Sequence, residues 1–277
     1  MKNQVALITG ASSGIGKETA CYLMKKGFHV YGTSRNVEGR FGEDHHAADL
    51  QSGGFIHMIP LDVTNDTSVE IAVATVIAEE GKIDILVSNA GMGIAGSIED
   101  IPMEAAKAQF ETNFFGSLRM VKAVLPHMRE LGRGKIIVIS SVAGIISIPF
   151  QGHYSASKFA LEGLIEALRH EVAPFGIKAC LVEPGDTKTG FTGSRTIAPD
   201  ENTPYRYRFT RSLARMERDE KNGASPEAVA RVVYGLIQKR NPPVRAAVGF
   251  QYKLIVFFKR LMPVWLTEKI VALLYNS

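Results

Sequence analysis

Cysteine is nearly absent: the 277 residues hold two, Cys21 and Cys180. Two thiols so far apart build neither a disulfide framework nor a metal cluster. Both sit in apolar patterns, as buried thiols of a reducing compartment do. Also missing is any uninterrupted apolar run near the ~18 residues that span a bilayer. Met1-Lys2-Asn3 leads straight into an apolar strand pattern, so no signal peptide is expected. The expected location is the cytoplasm. Charge of one sign is not in excess either: Lys+Arg 32 against Asp+Glu 28 leaves +4. That balance permits an anionic ligand but gives no reason to expect nucleic acid. Repeats, low-complexity tracts and clear linkers are lacking, which points to one domain over residues 1–277. His45 and His46 are adjacent and diverge, a poor metal site, and no metal is expected.

The remainder is an ordinary globular mix, 45% hydrophobic and 22% charged, with Gly 26 on the high side. Val5 to Thr9 is β-prone, Gly10-Ala11-Ser12-Ser13-Gly14-Ile15-Gly16 follows, and a helical pattern runs from Lys17 to Lys26. A strand, a glycine-rich turn and a helix N-terminus make an anion site, because backbone N–H groups and the helix dipole point at a phosphate. The spacing is G-x-x-x-G-x-G, a variant of the commonest dinucleotide fingerprint. Phe28 to Ser34 reads as a second strand. Its end, Thr33-Ser34-Arg35, has no carboxylate for ribose hydroxyls, while Arg35 suits a 2′-phosphate and Ser12 adds a hydroxyl. NADP(H) is therefore expected in preference to NAD(H).

Asn36 to Gly54, polar and glycine-rich, reads as a surface loop. Phe55 to Leu61 is a third strand ending at Asp62-Val63, with Asp62 placed to meet an adenine. Asp66 to Glu80 is an amphipathic helix, and Ile83 to Ser88 a strand that runs into Asn89-Ala90-Gly91. Open α/β sheets bind ligands at such carboxyl ends. Met103 to Leu131 reads as one long helix with Asn113 inside it, a locally unfavourable residue that asks for a functional reason. Lys135 to Ser141 is a strand, Ile145 to Gln151 an apolar loop, and a helix runs to about Val172. Ile177 to Val182 is a strand opening into Glu183-Pro184-Gly185-Asp186-Thr187-Lys188-Thr189. Residues 189–224 read as a lobe or lid. There Arg208, Arg211, Arg215 and Arg218 alternate with Glu217, Asp219 and Glu220 as a solvated face. Ser225-Pro226-Glu227 caps a helix to Lys239, and Val244 to Val248 is a last strand. Residues 250–277 form an amphipathic extension of two short helices broken at Pro263, with Lys253, Lys259, Arg260 and Lys269 scattered along it. It could cover the substrate mouth, join a partner subunit or lie on a membrane surface.

The chemistry concentrates in Ser141 to Lys158. Tyr154 and Lys158 lie four residues apart, one turn on one helix face. An ammonium beside a phenol favours the phenolate, so the tyrosine pKa is expected to fall from about 10 toward neutral. Such a tyrosine protonates an alkoxide or deprotonates an alcohol. Tyr-x-x-x-Lys alone is common on helices; its company decides.

That company resembles the short-chain dehydrogenase/reductase family. It comprises TGASSGIG from Thr9, LDVT from Leu61, NAG from Asn89, Asn113, the Ser141/Tyr154/Lys158 set, and PGDTKT from Pro184. IPFQGHYSASKFALEG resembles the branch that holds hydroxysteroid and retinol dehydrogenases. The resemblance implies a single doubly wound Rossmann α/β domain with a mostly parallel seven-stranded sheet and helices on both faces. It also implies roles. Tyr154 would be the acid/base, Lys158 would tune it and hold the nicotinamide ribose, Ser141 would bind the reacting oxygen, and Asn113 would fix a helix distortion and a relay water. Gly10, Ser12, Ser13, Gly14, Ile15 and Gly16 would shape the pyrophosphate site. Ser34, Arg35, Asp62, Val63, Asn89, Ala90 and Gly91 would flank the adenosine half. Pro184, Gly185, Thr187 and Thr189 would lie at the nicotinamide. Homodimers or homotetramers are common in the family.

The expected reaction interconverts a secondary alcohol and a ketone on a bulky apolar substrate. Ile145, Ile146, Ile148, Pro149, Phe150, Met92 and Ile94 would line its pocket. A hydroxysteroid comes first, a retinoid or long-chain keto-lipid second. A nucleotide-sugar epimerase is disfavoured by the glycine spacing, and a non-catalytic NADP sensor by the complete Asn113, Ser141, Tyr154 and Lys158 set.

Overall fold

Seven short segments of the chain are apolar at successive residues, the pattern of strands buried on both faces. In the computed structural model, which describes residues 3–41, 45–190, 195–197 and 202–275, they form one parallel sheet. Its strands are β1 (Val5–Ile8), β2 (His29–Ser34), β4 (Gly54–Pro60), β5 (Ile85–Ser88), β7 (Gly134–Ile139), β8 (Ile177–Pro184) and β10 (Arg245–Val248). An eighth, β3 (His46–Asp49), pairs antiparallel with β4 at one edge, giving the order β10-β8-β7-β5-β1-β2-β4-β3. The stretch expected to be loop over Asn36 to Gly54 therefore contributes a strand. Its signal is weak because β3 alternates between exposed and half-buried residues at an edge, and what holds it is tertiary: His46 stacks on Phe55, ring centres 5.3 Å apart. The Asp44 of that loop lies outside the described residues.

Alternation along each strand splits the core into two layers. Val5, Leu7, Leu86, Ile136, Val138 and Leu181 face α2 (Asp66–Glu80), α4 (Gly116–Glu130) and α5 (Gly152–Val172). Ala6, Ile8, Val87, Ile137, Cys180 and Val182 face α1 (Gly14–Met24) and α7 (Pro226–Gln238). Each fully buried aliphatic side chain contributes about 1.5–3 kcal/mol, so these layers hold the sheet that aims the loops. Cys180 is buried and Cys21 half-buried, and both are free thiols.

Local signals set the helix ends. Asn65 accepts from the Ser68 N–H at 2.9 Å to start α2, and Gly81, at φ 70, stops it. Ser225 accepts from the Ala228 N–H at 3.3 Å, with Pro226 in the first turn of α7. The expected long helix from Met103 to Leu131 is divided: α3 (Met103–Phe110) passes through a π-turn, Glu111–Phe115, into α4. The lobe at 189–224 falls partly outside the described residues. Its described part holds β9 (Thr196–Ile197), paired with β6 (Ile94–Ala95), and α6 (Arg206–Lys221). The two expected C-terminal helices are α8 (Phe250–Leu261) and α9 (Val264–Tyr275), separated at Pro263.

Candidate active site

The strand order turns back between β1 and β5, and at such a reversal the loops leaving the carboxyl ends part to form a crevice. A cavity of about 1010 Å³ occupies it. Its walls include Gly10, Ser12, Ser13, Gly14 and Ile15 after β1, Ser34 and Arg35 after β2, and Asp62 and Val63 after β4. Asn89, Ala90 and Gly91 follow β5, and Pro184, Gly185, Thr187 and Thr189 follow β8. Of the residues expected at a cofactor, Gly16 alone stands behind the lining. It sits so close to the chain that a Cβ there would meet the Gly10 carbonyl oxygen at 2.2 Å and Asn89 Nδ2 at 2.5 Å.

That crowding fixes the turn. Asn89 Nδ2 donates to the carbonyls of Thr9 and Gly10 at 3.0 and 3.2 Å, and Thr9 Oγ1 accepts from the Asn89 and Ala90 N–H groups, both at 2.9 Å. The loops after β1 and β5 are thereby tied together. Gly10 and Gly14 take φ of +67° and +53°, where a side chain would be strained. Ser13 ends the loop in extended backbone and its side chain does not cap α1. The N-terminus of α1, with Gly14 and Ile15 in the cavity wall, is thus left without a cap from Ser13, a seat for a phosphate. A dinucleotide fits this cradle. At the far end the Thr64 backbone N–H, donating at 2.9 Å, holds the Asp62 carboxyl below its ordinary pKa, with Arg35 adding to the effect. Asp62 is therefore ionised beside the exposed Arg35.

The side chains expected to react converge from three elements. Tyr154 and Lys158 stand one turn apart on α5. Ser141 begins the 3₁₀ turn after β7, accepting from the Ala143 N–H at 3.1 Å, and its hydroxyl is bonded to Tyr154. Asn113, fully buried, lies behind the lining on the π-turn: Oδ1 accepts from the Met92 N–H at 2.8 Å, and Nδ2 donates to the Met92 carbonyl and Ser157 Oγ, both at 3.0 Å. Ser157 in turn donates to the Tyr154 carbonyl at 2.7 Å. A residue unfavourable in a helix interior is thus spent on joining the π-turn, the loop after β5 and the helix of Tyr154.

The expected fall of the Tyr154 pKa is not what the structure gives. Burial pushes the phenol up to about 12, against the Ser141 hydrogen bond and Arg195, which pull it down. Burial also lowers Lys158 to about 8, although Glu162 favours its charge. The reason is geometric. Lys158 Nζ donates to the Ile139 carbonyl at 2.9 Å and lies 5.7 Å from the centre of the Tyr154 ring. Glu162 is itself engaged by Arg245 at 2.7 Å. At neutral pH the pair is a protonated phenol over a mostly charged ammonium.

Several lining residues were not singled out from sequence. Glu220, in a run that reads as solvated, turns inward and pairs with the buried Arg195. Both act on Tyr154 electrostatically, in opposite directions. Tyr252 of α8 lies over Gly185, where a Cβ would meet its ring at 2.1 Å, and its hydroxyl donates to Asp186. The apolar wall also differs from expectation. Met92, Ile146 and Ile148 line the cavity, while Ile94 joins a separate cluster with Ile101 and Ala106. Ile145 packs on the Tyr252 cluster and Phe150 on Phe209, and Pro149 is not among the lining residues. The larger apolar wall is Leu254, Ile255, Phe258, Met262, Ile270 and Val271, from the C-terminal helices. The sequence shows them as apolar and leaves covering the substrate mouth as one of three options for this extension; the structure places these side chains in the cavity wall.

Fold and site together define an oxidoreductase of the Rossmann kind. The profile of the short chain dehydrogenases matches residues 4–199, and the chain belongs to that family. It is 48% identical over 251 residues to a 3-ketodihydrosphingosine reductase of Bacteroides thetaiotaomicron, covering 90% of this chain and 89% of that one. It is 36% identical to the human 17-beta-hydroxysteroid dehydrogenase type 1 over 88% of this chain and 77% of the other. A short-chain dehydrogenase from Streptomyces avermitilis superposes with a TM-score of 0.81 at 32% identity, over 94% and 93% of the two chains. Among the described residues no group of metal-ligating side chains occurs, and no helix is long and apolar enough to cross a membrane.

Proposed function

We propose that this protein reduces the ketone of a long-chain keto-lipid to a secondary alcohol, with NADPH as cofactor. The observation that carries the substrate is the make-up of the wall: with Ser141, Tyr154, Arg195 and Glu220 the cavity is lined by the apolar Leu254, Ile255, Phe258, Met262, Ile270 and Val271 of α8 and α9. Such a site suits a polar ketone end with a long hydrocarbon tail. The reductase at 48% identity supports a keto-lipid over the hydroxysteroid that the sequence put first, and the relative at 36% keeps the steroid as the comparison to run.

The nicotinamide supplies hydride when bound. Ser12, Ser13, Gly14 and the first turn of α1 would hold the pyrophosphate, Lys158 the nicotinamide ribose, and Arg35 with Ser34 the 2′-phosphate. Ser141 would hold the substrate oxygen by a hydrogen bond and Tyr154 would give it a proton. Asn113 positions these groups through Met92 and Ser157.

A panel of long-chain 3-ketolipids, steroids, retinoids and simple ketones, run with both cofactors, tests the reading. The keto-lipids should give the highest kcat/KM. Steroid turnover with no lipid turnover would replace the substrate class. Arg35→Asp should raise the KM for NADPH by about 10- to 100-fold, the scale of one charge-assisted phosphate contact turned repulsive. NADH should change little; equal losses for the two cofactors would remove the 2′-phosphate role.

A further inference from the structure

Helix α8 is apolar on two faces. Tyr252 and Val256 point inward and pack with Ala247 against Val142 and Ile145. The outer face carries Phe250, Leu254, Phe257, Phe258 and Leu261, all exposed, at the i, i+4, i+7, i+8, i+11 spacing of one stripe. Helix α9 continues the surface with Val264 and Trp265, 74% and 67% exposed, and with Leu273. Exposed Lys253 and Lys269 stand along the two helices against one acid, Glu268, while half-exposed Lys259 falls at the Tyr252 and Val256 spacing. A patch this apolar is rare on a soluble surface without a partner. It also adjoins the cavity: Leu254, Phe258 and Ile270 belong both to the exposed surface and to the lining.

We infer that α8 and α9 form a docking surface for an anionic lipid bilayer, placing the mouth of the cavity against the membrane. Two features choose this occupant. The exposed lysines are complementary to acidic headgroups, and each lysine near such a surface adds to binding. The apolar stripe runs into the cavity, so a lipid leaving the bilayer keeps its tail in apolar surroundings all the way to the site. With helices of 12 residues each, the segment lies in the interface rather than crossing it. The inference rests on the keto-lipid reading only for what enters the mouth; the docking itself is read without turnover.

Trp265 is the one tryptophan of the chain and lies in this patch, so its emission reports docking directly. The full chain is mixed with vesicles of phosphatidylcholine alone or with added phosphatidylserine, and emission and co-sedimentation are followed. With phosphatidylserine, emission shifts to the blue, protein sediments with the vesicles, and salt weakens both. Phe257→Glu with Leu261→Glu, neither lining the cavity, lowers vesicle affinity about tenfold or more. Melting and turnover of a short, water-soluble ketone should be unchanged in that variant, which shows it folded. No shift and no sedimentation with either vesicle overturns docking, even if a detergent-solubilised keto-lipid is reduced. A blue shift that grows with protein concentration without lipid, together with a doubled mass, overturns it in favour of an interface between copies. Vesicle binding without keto-lipid turnover supports docking and removes the substrate reading instead.

Discussion

Tyr154→Phe is expected to lower kcat by about 10³-fold, the middle of the range for a lost general acid, while the dissociation constant for NADPH changes little. The substitution removes one oxygen. That oxygen is bonded to Ser141 and is the proton donor nearest the place where Ser141 would hold the ketone. The ring remains, still half-buried over Lys158. Because burial keeps the phenol protonated up to about pH 12, it enters the reaction as an acid, which fits reduction of a ketone. Single-turnover kinetics with saturating NADPH separate the step from binding. Retention of most of the activity would remove Tyr154 from the reaction.

Lys158→Met should abolish turnover on a similar scale and yet stabilise the free protein at neutral pH by about 2 kcal/mol. Burial holds the Lys158 ammonium at about 8, against an ordinary value of 10.5, so a charge kept at pH 7 costs the folded state about 3 kcal/mol. The lost hydrogen bond to Ile139 returns about 1 kcal/mol of that. Methionine fills a similar volume without the charge. Linkage gives the pH dependence. Between pH 8 and 10.5 the folded wild type releases this proton while the unfolded chain retains it, so the unfolded state binds more protons and wild-type stability rises with pH. The advantage of Lys158→Met should therefore shrink across that window and reverse to a small deficit above it. Chemical denaturation of both proteins at pH 7, 9 and about 11 measures it. A constant difference would mean that the lysine is not held charged in a buried site.

Much of this protein is local chemistry. The apolar strand segments, the Ser225 cap, the glycine turn and the break at Pro263 each follow from residues near one another, and each is visible in the sequence. So was the Ser141, Tyr154 and Lys158 set, because a helix turn places residues four apart on one face whatever surrounds them. Gly16 was expected at the pyrophosphate site with Gly10 and Gly14; that it stands behind the lining, against the Gly10 carbonyl, came from the structure. Other features required distant parts of the chain to meet. The edge strand at His46 exists because Phe55 offers it a ring and a ladder. The π-turn at Asn113 is held by hydrogen bonds to Met92 and Ser157, 21 and 44 residues away. The inward turn of Glu220 depends on Arg195, and the cavity's apolar wall on a C-terminal pair that folds back over loops from the middle of the chain. The sharpest difference is the Tyr154 pKa. Sequence determined that a lysine would lie beneath the tyrosine; only the tertiary structure decided how deeply both are buried and that the ammonium is shared with the Ile139 carbonyl. Desolvation depends on everything packed around a group, and no spacing along the chain encodes it.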